Sequence, residues 1–356
     1  MPGRSRRERS SPVRPRSGRI LGISSDVKTV LYTDPFVPAE WIAAHGMRPR
    51  RILPKTAAQD RFLRMGLCPY ARAFMNAVAG DDTGDIVVFA TTCDQMRRGS
   101  ELVSRTCDRP VFLMNVPATW RTDTARALYR AELERLGSFL VRLGGTRPSR
   151  ADAAETFAAY DAGRASLRAT RSCLSPRQFA EAAASFCQPG ALPNRIGSGD
   201  AARRRHPQGV RLALVGGPLM ADGFDVFDIA EQAGGVIVLD ATGTGERTLP
   251  GPLDQSKLHK DPLGSLVQAY FDTIPDAFRR PNTALYVWLK RHIEERGVAG
   301  VIVRYYTWCD LWHAEASPME EVLARPTLTV DVADGDDAAC RLRTRTRIQA
   351  FVESLR

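Results

Sequence analysis

The chain has seven cysteines, at 68, 93, 107, 173, 187, 309 and 340, yet no Cys-x-x-Cys pair and no zinc-finger spacing. With the number odd and the opening residues lacking the apolar stretch of a secretory signal, a disulfide framework is not expected. Buried thiols, a reactive thiol, or a metal site assembled from distant segments remain. No apolar run approaches about 20 residues, which argues against a membrane-spanning helix and for a cytoplasmic protein. The dinucleotide fingerprint Gly-x-Gly-x-x-Gly is missing. So is any basic motif interleaved with aromatics, so an organised nucleic-acid surface is not expected in the core despite a net charge of +10. Much of that charge is local: residues 1–19 hold seven Arg and one Glu, or +6, leaving +4 for everything else. Such an Arg-, Ser- and Pro-rich stretch cannot bury a core and is expected to be a disordered basic tail.

What the sequence does hold is an ordinary globular balance, 44% hydrophobic and 25% charged over 356 residues, long enough for two domains. From residue 28, strand-like runs alternate with helix-like ones. "KTVLYTD", "RRILP", "DIVVFA" and "RPVFLMNVP" read as strands; "PAEWIAAHGM", "CPYARAFMNAVAG" and "TARALYRAELERLGSFLVRLGG" read as helices. The second half repeats the scheme through "GVRLALVGGPL", "GFDVFDIAEQAGG", "VIVLDATGTGER", "LYVWLKRHIEERGV", "AGVIVRYY", "RPTLTVDV" and "RTRIQAFVESL". Strand–helix alternation predicts parallel sheets covered on both faces.

The halves also share a phrase. "DIVVFATTCD" and "GVIVRYYTWCD" each end a strand in Thr-x-Cys-Asp, and sixteen positions separate Cys93 from Arg109 as they separate Cys309 from Arg325. Each Arg-Pro then opens another strand. The pattern predicts an α/β chain built from two similar Rossmann- or flavodoxin-like domains by internal duplication. The expected boundaries are a first domain at 20–145, a helical connector and basic linker at 146–209, and a second domain at 210–356.

Ligands of open parallel sheets sit beyond the carboxyl ends of the strands, where Cys93 and Cys309 fall. Cys68, in "GLCPYAR", opens a helix, where the dipole favours a thiolate. Three thiolates from separate segments would suit a soft metal centre, although buried cysteine is also a common small hydrophobe. Asp94 and Asp310 follow two of these cysteines, either supporting them or capping helices. Glu40, in "PAEW", is a further acidic candidate at a helix start. "LVGGPL" (214–219) is a tight glycine turn or a weak phosphate cradle. His259, His292 and His313 have no partner pattern.

Taken in order, "VLYTDPFVPAEWIAAHGMRPRRI", "GLCPYAR", "DIVVFATTCDQMRR", "RPVFLMNVP", "RLALVGGPL", "VIVRYYTWCD" and "TRTRIQAFVESL" resemble the 2-hydroxyacyl-CoA dehydratase D-component family, which includes related benzoyl-CoA reductase subunits. The resemblance spans roughly residues 27–356. It implies one [4Fe–4S] cluster held by Cys68, Cys93 and Cys309, with one iron lacking a protein ligand. It also implies an acyl-CoA substrate, a homologous second subunit, and an ATP-dependent activator that delivers electrons. The implied reaction adds one electron to a 2-hydroxyacyl thioester, expels the hydroxyl from the ketyl radical, and recovers the electron. A benzoyl-CoA-reductase-like subunit, or a non-catalytic paralogue using its cluster as relay or scaffold, are the alternatives. The chain departs from the family pattern at Asp331, where Glu is usual, and at "YDAGR", where Asp161 stands in place of Asn ahead of Arg164.

Overall fold

The structure is a computed structural model that describes residues 27–56, 60–62, 66–187, 208–333 and 338–356. The basic tail and most of the basic linker foreseen above lie outside these residues.

The first half contains β1 (Thr29–Tyr32), α1 (Ala39–Ala44), β2 (Arg48–Arg51), α2 (Pro69–Ala79), β3 (Ile86–Ala90), α3 (Asp94–Thr106), β4 (Val111–Met114) and α4 (Asp123–Arg142). Helices α5 (Arg150–Ala169) and α6 (Pro176–Ser185) follow; each opens on a serine capping box, Ser149 with Asp152 and Ser175 with Gln178. The second half contains β5 (Val210–Gly216), α7 (Asp225–Gln232), β6 (Gly235–Ala241), α8 (Gln255–Leu258), α9 (Pro262–Leu266), a π-helical turn (Val267–Asp272), α10 (Thr283–Glu295), β7 (Gly300–Tyr306), α11 (Asp310–Leu323), β8 (Thr327–Val332) and α12 (Ala338–Ser354). The second strand lies earlier than the apolar run "RRILP" suggested. Pairing with β1 begins at Arg48 and ends at Arg51, so an Arg-rich segment with little apolar signal forms the edge.

Both sheets are wholly parallel and have the same strand order, β2-β1-β3-β4 and β6-β5-β7-β8. The fold is therefore two doubly wound α/β lobes of one topology. In each, the order reverses beside the first strand, and that switch point opens a crevice at the carboxyl ends. Strand β3 is buried at all five residues, as expected for a strand covered on both faces.

The lobes are not independent. One apolar cluster joins Leu31, Phe74, Val87 and Phe89 of the first lobe to Leu212, Leu214, Phe224 and Ile302 of the second. Full burial of each such side chain contributes about 1.5–3 kcal/mol, so the facing sheets are held as one body. A second cluster carries Leu258, Leu266, Phe271 and Ile274 across onto Val30, Phe112, Leu133 and Leu136, so part of the second half completes the first lobe's core.

Candidate functional site

The repeated Thr-x-Cys has a local cause. Just beyond β3, the Thr91 backbone N–H donates to the carbonyl of Met114, the last residue of β4, at 3.0 Å. Just beyond β7, the Thr307 N–H donates to the carbonyl of Val332, the last residue of β8, at 2.9 Å. Each threonine thus prolongs the ladder by one bond on the side away from the switch point, and the chain then turns into a helix two residues later. The residue at that turn is the cysteine: Cys93 is the N-cap of α3 and Cys309 the N-cap of α11. Cys68 is likewise the N-cap of α2, with Pro69 opening the helix.

The three cysteines line one cavity of about 110 Å³ at the meeting of the two switch points. That space is many times what a single water requires. Its walls are mostly apolar and come from both lobes, including Phe36, Met96, Leu311 and Trp312. Gln95 ties two of the cysteine segments together: its Oε1 accepts from Cys68 N at 3.2 Å, and its Nε2 donates to Gly66 O at 3.3 Å. The Cys93 sulfur accepts from Met96 N at 3.4 Å. Tyr70 and Tyr306 face each other across the lobes with ring centroids 6.2 Å apart. The Tyr70 hydroxyl bonds Thr33 Oγ1 at 2.5 Å, and that of Tyr306 accepts from Met220 N at 3.0 Å.

Helix starts alone suggested a favoured thiolate at Cys68, and the structure corrects that. The backbone N–H groups of α2 do pull the thiol down, but burial outweighs them, and with Cys309 nearby the Cys68 thiol is pushed up to about 12. Burial pushes Cys93 up to about 12 as well, and raises Cys309. Burial thus favours the neutral thiol at all three, and a bound cation would favour the thiolate. Among the described residues, no three His, Cys, Asp or Glu side chains are grouped tightly enough to hold a single metal ion; the three thiols stand around a space instead.

Two carboxylates that the sequence reading passed over also face this cavity. Asp34, two residues past β1, accepts from Thr92 Oγ1 at 2.5 Å and from Phe36 N at 2.9 Å. Burial pushes its carboxyl up to about 6 despite both bonds. Asp276 pairs with the fully buried Arg247, Nη1 to Oδ2 at 2.7 Å. The signal for Asp34 was available, since "YTD" places an acid beyond the first strand of a doubly wound unit. None existed for Asp276, which lies in an irregular segment far from any strand end.

The acidic candidates lie elsewhere. Asp94 and Asp310 are the first residues of α3 and α11 rather than their caps, both are exposed, and neither lines the cavity. Glu40 is fully buried in α1, where its carboxylate takes Arg164 Nη1 at 2.8 Å and the Tyr270 hydroxyl at 2.6 Å. It faces a smaller cavity, of about 30 Å³, walled from the first by Pro35. Asp161, from the "YDAGR" signature, lies 3.7 Å from Arg164 Nη2. Asp331 is exposed on β8, 3.8 Å from Arg347. His259, His292 and His313 do not line the cysteine cavity.

The glycine turn after β5 has no donors to spare at its end: Leu219 N donates to Thr244 Oγ1 at 3.0 Å and Met220 N to Tyr306. Gly216 is required by space, because a Cβ there would stand 1.8 Å from the Arg304 carbonyl oxygen on β7.

Twin doubly wound lobes of one topology that meet over a sulfur-lined cavity define a two-lobed α/β protein. The chain belongs to the 2-hydroxyglutaryl-CoA dehydratase, D-component family, whose sequence pattern matches residues 35–355. It is thus of a dehydratase-component type. No curated protein matches it. No helix of the described residues is long and apolar enough to cross a membrane.

Proposed function

We propose that this chain is the cluster-carrying component of a 2-hydroxyacyl-CoA dehydratase, eliminating water from a 2-hydroxyacyl thioester by way of a substrate ketyl radical. Cys68, Cys93 and Cys309 would hold a [4Fe–4S] cluster. The observation that carries this reading is three thiols, one buried and two half-buried, drawn from both lobes around a single apolar cavity. The donor set fits: all three are sulfur, the preferred ligand of iron–sulfur centres, and thiols held at high pKa ionise when a cation binds. When bound, such a cluster supplies a single low-potential electron to a carbonyl brought against it.

The chain's own residues supply the rest. Phe36, Met96, Leu311 and Trp312 keep the cavity apolar, which limits water near a reactive acyl group. The Asp34 carboxylate, with its acidity weakened by burial and its orientation fixed by Thr92, is suited to accept and return a proton on this wall. Glu40 acts on the architecture, holding α1, α5 and the π-helical turn together through Arg164 and Tyr270. Asp94 and Asp310 add negative charge at the helix starts that present two of the thiols, where the dipole favours it. The partners in this reading are an acyl-CoA, a homologous second subunit and an ATP-dependent electron donor.

Anaerobic purification with iron and sulfide analysis tests the proposal. Wild type should carry about four irons per chain, and Cys93→Ala should lose them while keeping its fold. A stable wild type that takes up no iron after anaerobic reconstitution would overturn it. Stoichiometric rather than catalytic consumption of low-potential electrons would instead identify an acyl-CoA reductase.

A further inference from the structure

A separate cavity of about 380 Å³ runs along the outer edge of the second sheet and shares no residue with the cysteine cleft. Among the described residues strand β6 pairs only with β5, and its other edge faces this space. The end of α5 and the start of α6 form the far side. The middle of the wall is apolar, with Phe179, Phe227, Val236 and Ile237, and the volume is within the range of small-molecule sites. Four arginines and two acids, a formal +2, complete the lining.

The arginines divide by what already occupies them. Arg171 and Arg296 both ion-pair with Glu246, and both donate to the Val238 carbonyl, capping the open edge of the strand. Their role is to build the wall. Among the described residues, Arg168 donates only to the Pro250 carbonyl, and Arg211 only through Nε to the Arg296 carbonyl at 2.6 Å. Both keep donors over. Asp240 is the complementary group. It is 4% exposed, its Oδ1 accepts from Thr242 N at 3.0 Å, and its Oδ2 is buried without a hydrogen-bond partner among the described residues. Burial pushes this carboxyl up to about 6. An acceptor left bare in the interior is costly unless a donor arrives.

An apolar wall, a waiting buried acceptor and two guanidinium groups with donors left over among the described residues describe one kind of ligand. We propose that this edge cavity binds a nucleoside phosphate, with the base against Phe179 and Phe227, an N–H or ribose hydroxyl donating to Asp240, and the phosphate on Arg168 and Arg211. The same chemistry could come from a free nucleotide or from the nucleotide end of a coenzyme A thioester. The inference does not depend on iron at the cysteine cleft.

Calorimetric titration of the full chain with adenosine monophosphate, adenosine and coenzyme A tests it. Adenosine monophosphate should bind wild type and Cys93→Ala alike. Arg211→Ala, at an exposed position, should weaken the monophosphate about tenfold, the loss of one charge-assisted contact, and leave adenosine unchanged. Asp240→Asn, which keeps the bond from Thr242 but can place a donor where the acceptor stood, should weaken both about tenfold. Competition by coenzyme A would assign the site to the thioester's nucleotide end, and binding of the monophosphate without such competition to a free nucleotide. Absence of binding by either at millimolar concentration would overturn the proposal, as would monophosphate binding that neither substitution alters.

Discussion

Replacing Glu40 by Gln should cost this protein a large part of its stability. Both carboxylate oxygens are engaged, one by Arg164 and one by Tyr270, and neither Glu40 nor Arg164 is more than 1% exposed. Among the described residues the Arg164 Nε and Nη2 atoms have no hydrogen-bond partner, so Glu40 is the main answer to a fully buried positive charge. Once the carboxylate is gone, Asp161 is the acid that remains nearby among the described residues, at 3.7 Å from Nη2. Breaking a buried pair by removing one partner costs about 3–5 kcal/mol, and the residual attraction of Asp161 puts this case at the lower end, about 3 kcal/mol. Against a typical domain stability of about 5–15 kcal/mol, that is a substantial fraction. The double replacement Glu40→Leu with Arg164→Met removes both charges and should recover most of the loss, leaving the Tyr270 hydroxyl unpaired at about 1–3 kcal/mol. Urea unfolding followed by circular dichroism on wild type, Glu40→Gln and the double variant measures this. If Glu40→Gln loses less than about 1 kcal/mol, or the double variant is less stable than the single, the ion pair does not hold α1 against α5 as argued.

Two further outcomes follow from the cleft. Burial raises Asp34 from 3.8 to about 6 in the folded protein, so the folded state favours its neutral form: that gain is present below pH 4 and is lost as pH rises through 6. Wild-type stability relative to Asp34→Asn should therefore fall across this window by up to about 3 kcal/mol, whereas a flat difference would show Asp34 to be solvated. In iron-free protein at pH 8, a disulfide-exchange reagent should label exposed Cys173 at once but Cys68 and Cys93 at least about a hundredfold more slowly, because their thiols are pushed up to about 12. Equal labelling rates, followed by mass spectrometry of each cysteine, would refute the raised thiols.

Much of this architecture was legible in the chain. The Thr-x-Cys-Asp echo and the shared spacing to Arg-Pro pointed to a repeated unit, and the same strand order in both halves places each cysteine at a helix start just past the corresponding strand. The three cysteines were legible through their places at strand ends and a helix start. Less visible was everything set by burial across long distances. Helix-start logic alone put a thiolate at Cys68, and only the packed lobes reveal that desolvation wins there. Asp94 and Asp310 were attractive because they adjoin cysteines in sequence, but one step along a helix start turns a side chain from the cleft to solvent. Glu40 gave no hint of Arg164, 124 positions away and met only in the fold. Arg-rich β2 was misplaced because its partner strand, not its own pattern, decides its register.

The passage of residues 253–278 into the first lobe's core has a practical meaning for anyone dividing the gene. A fragment ending at the close of α6 would leave Val30, Phe112 and Leu133 facing water, and the remaining fragment would carry Leu258, Phe271 and Ile274 with nothing to rest on. Neither piece should be soluble alone, yet produced together they should reassemble, because each holds the missing surface of the other.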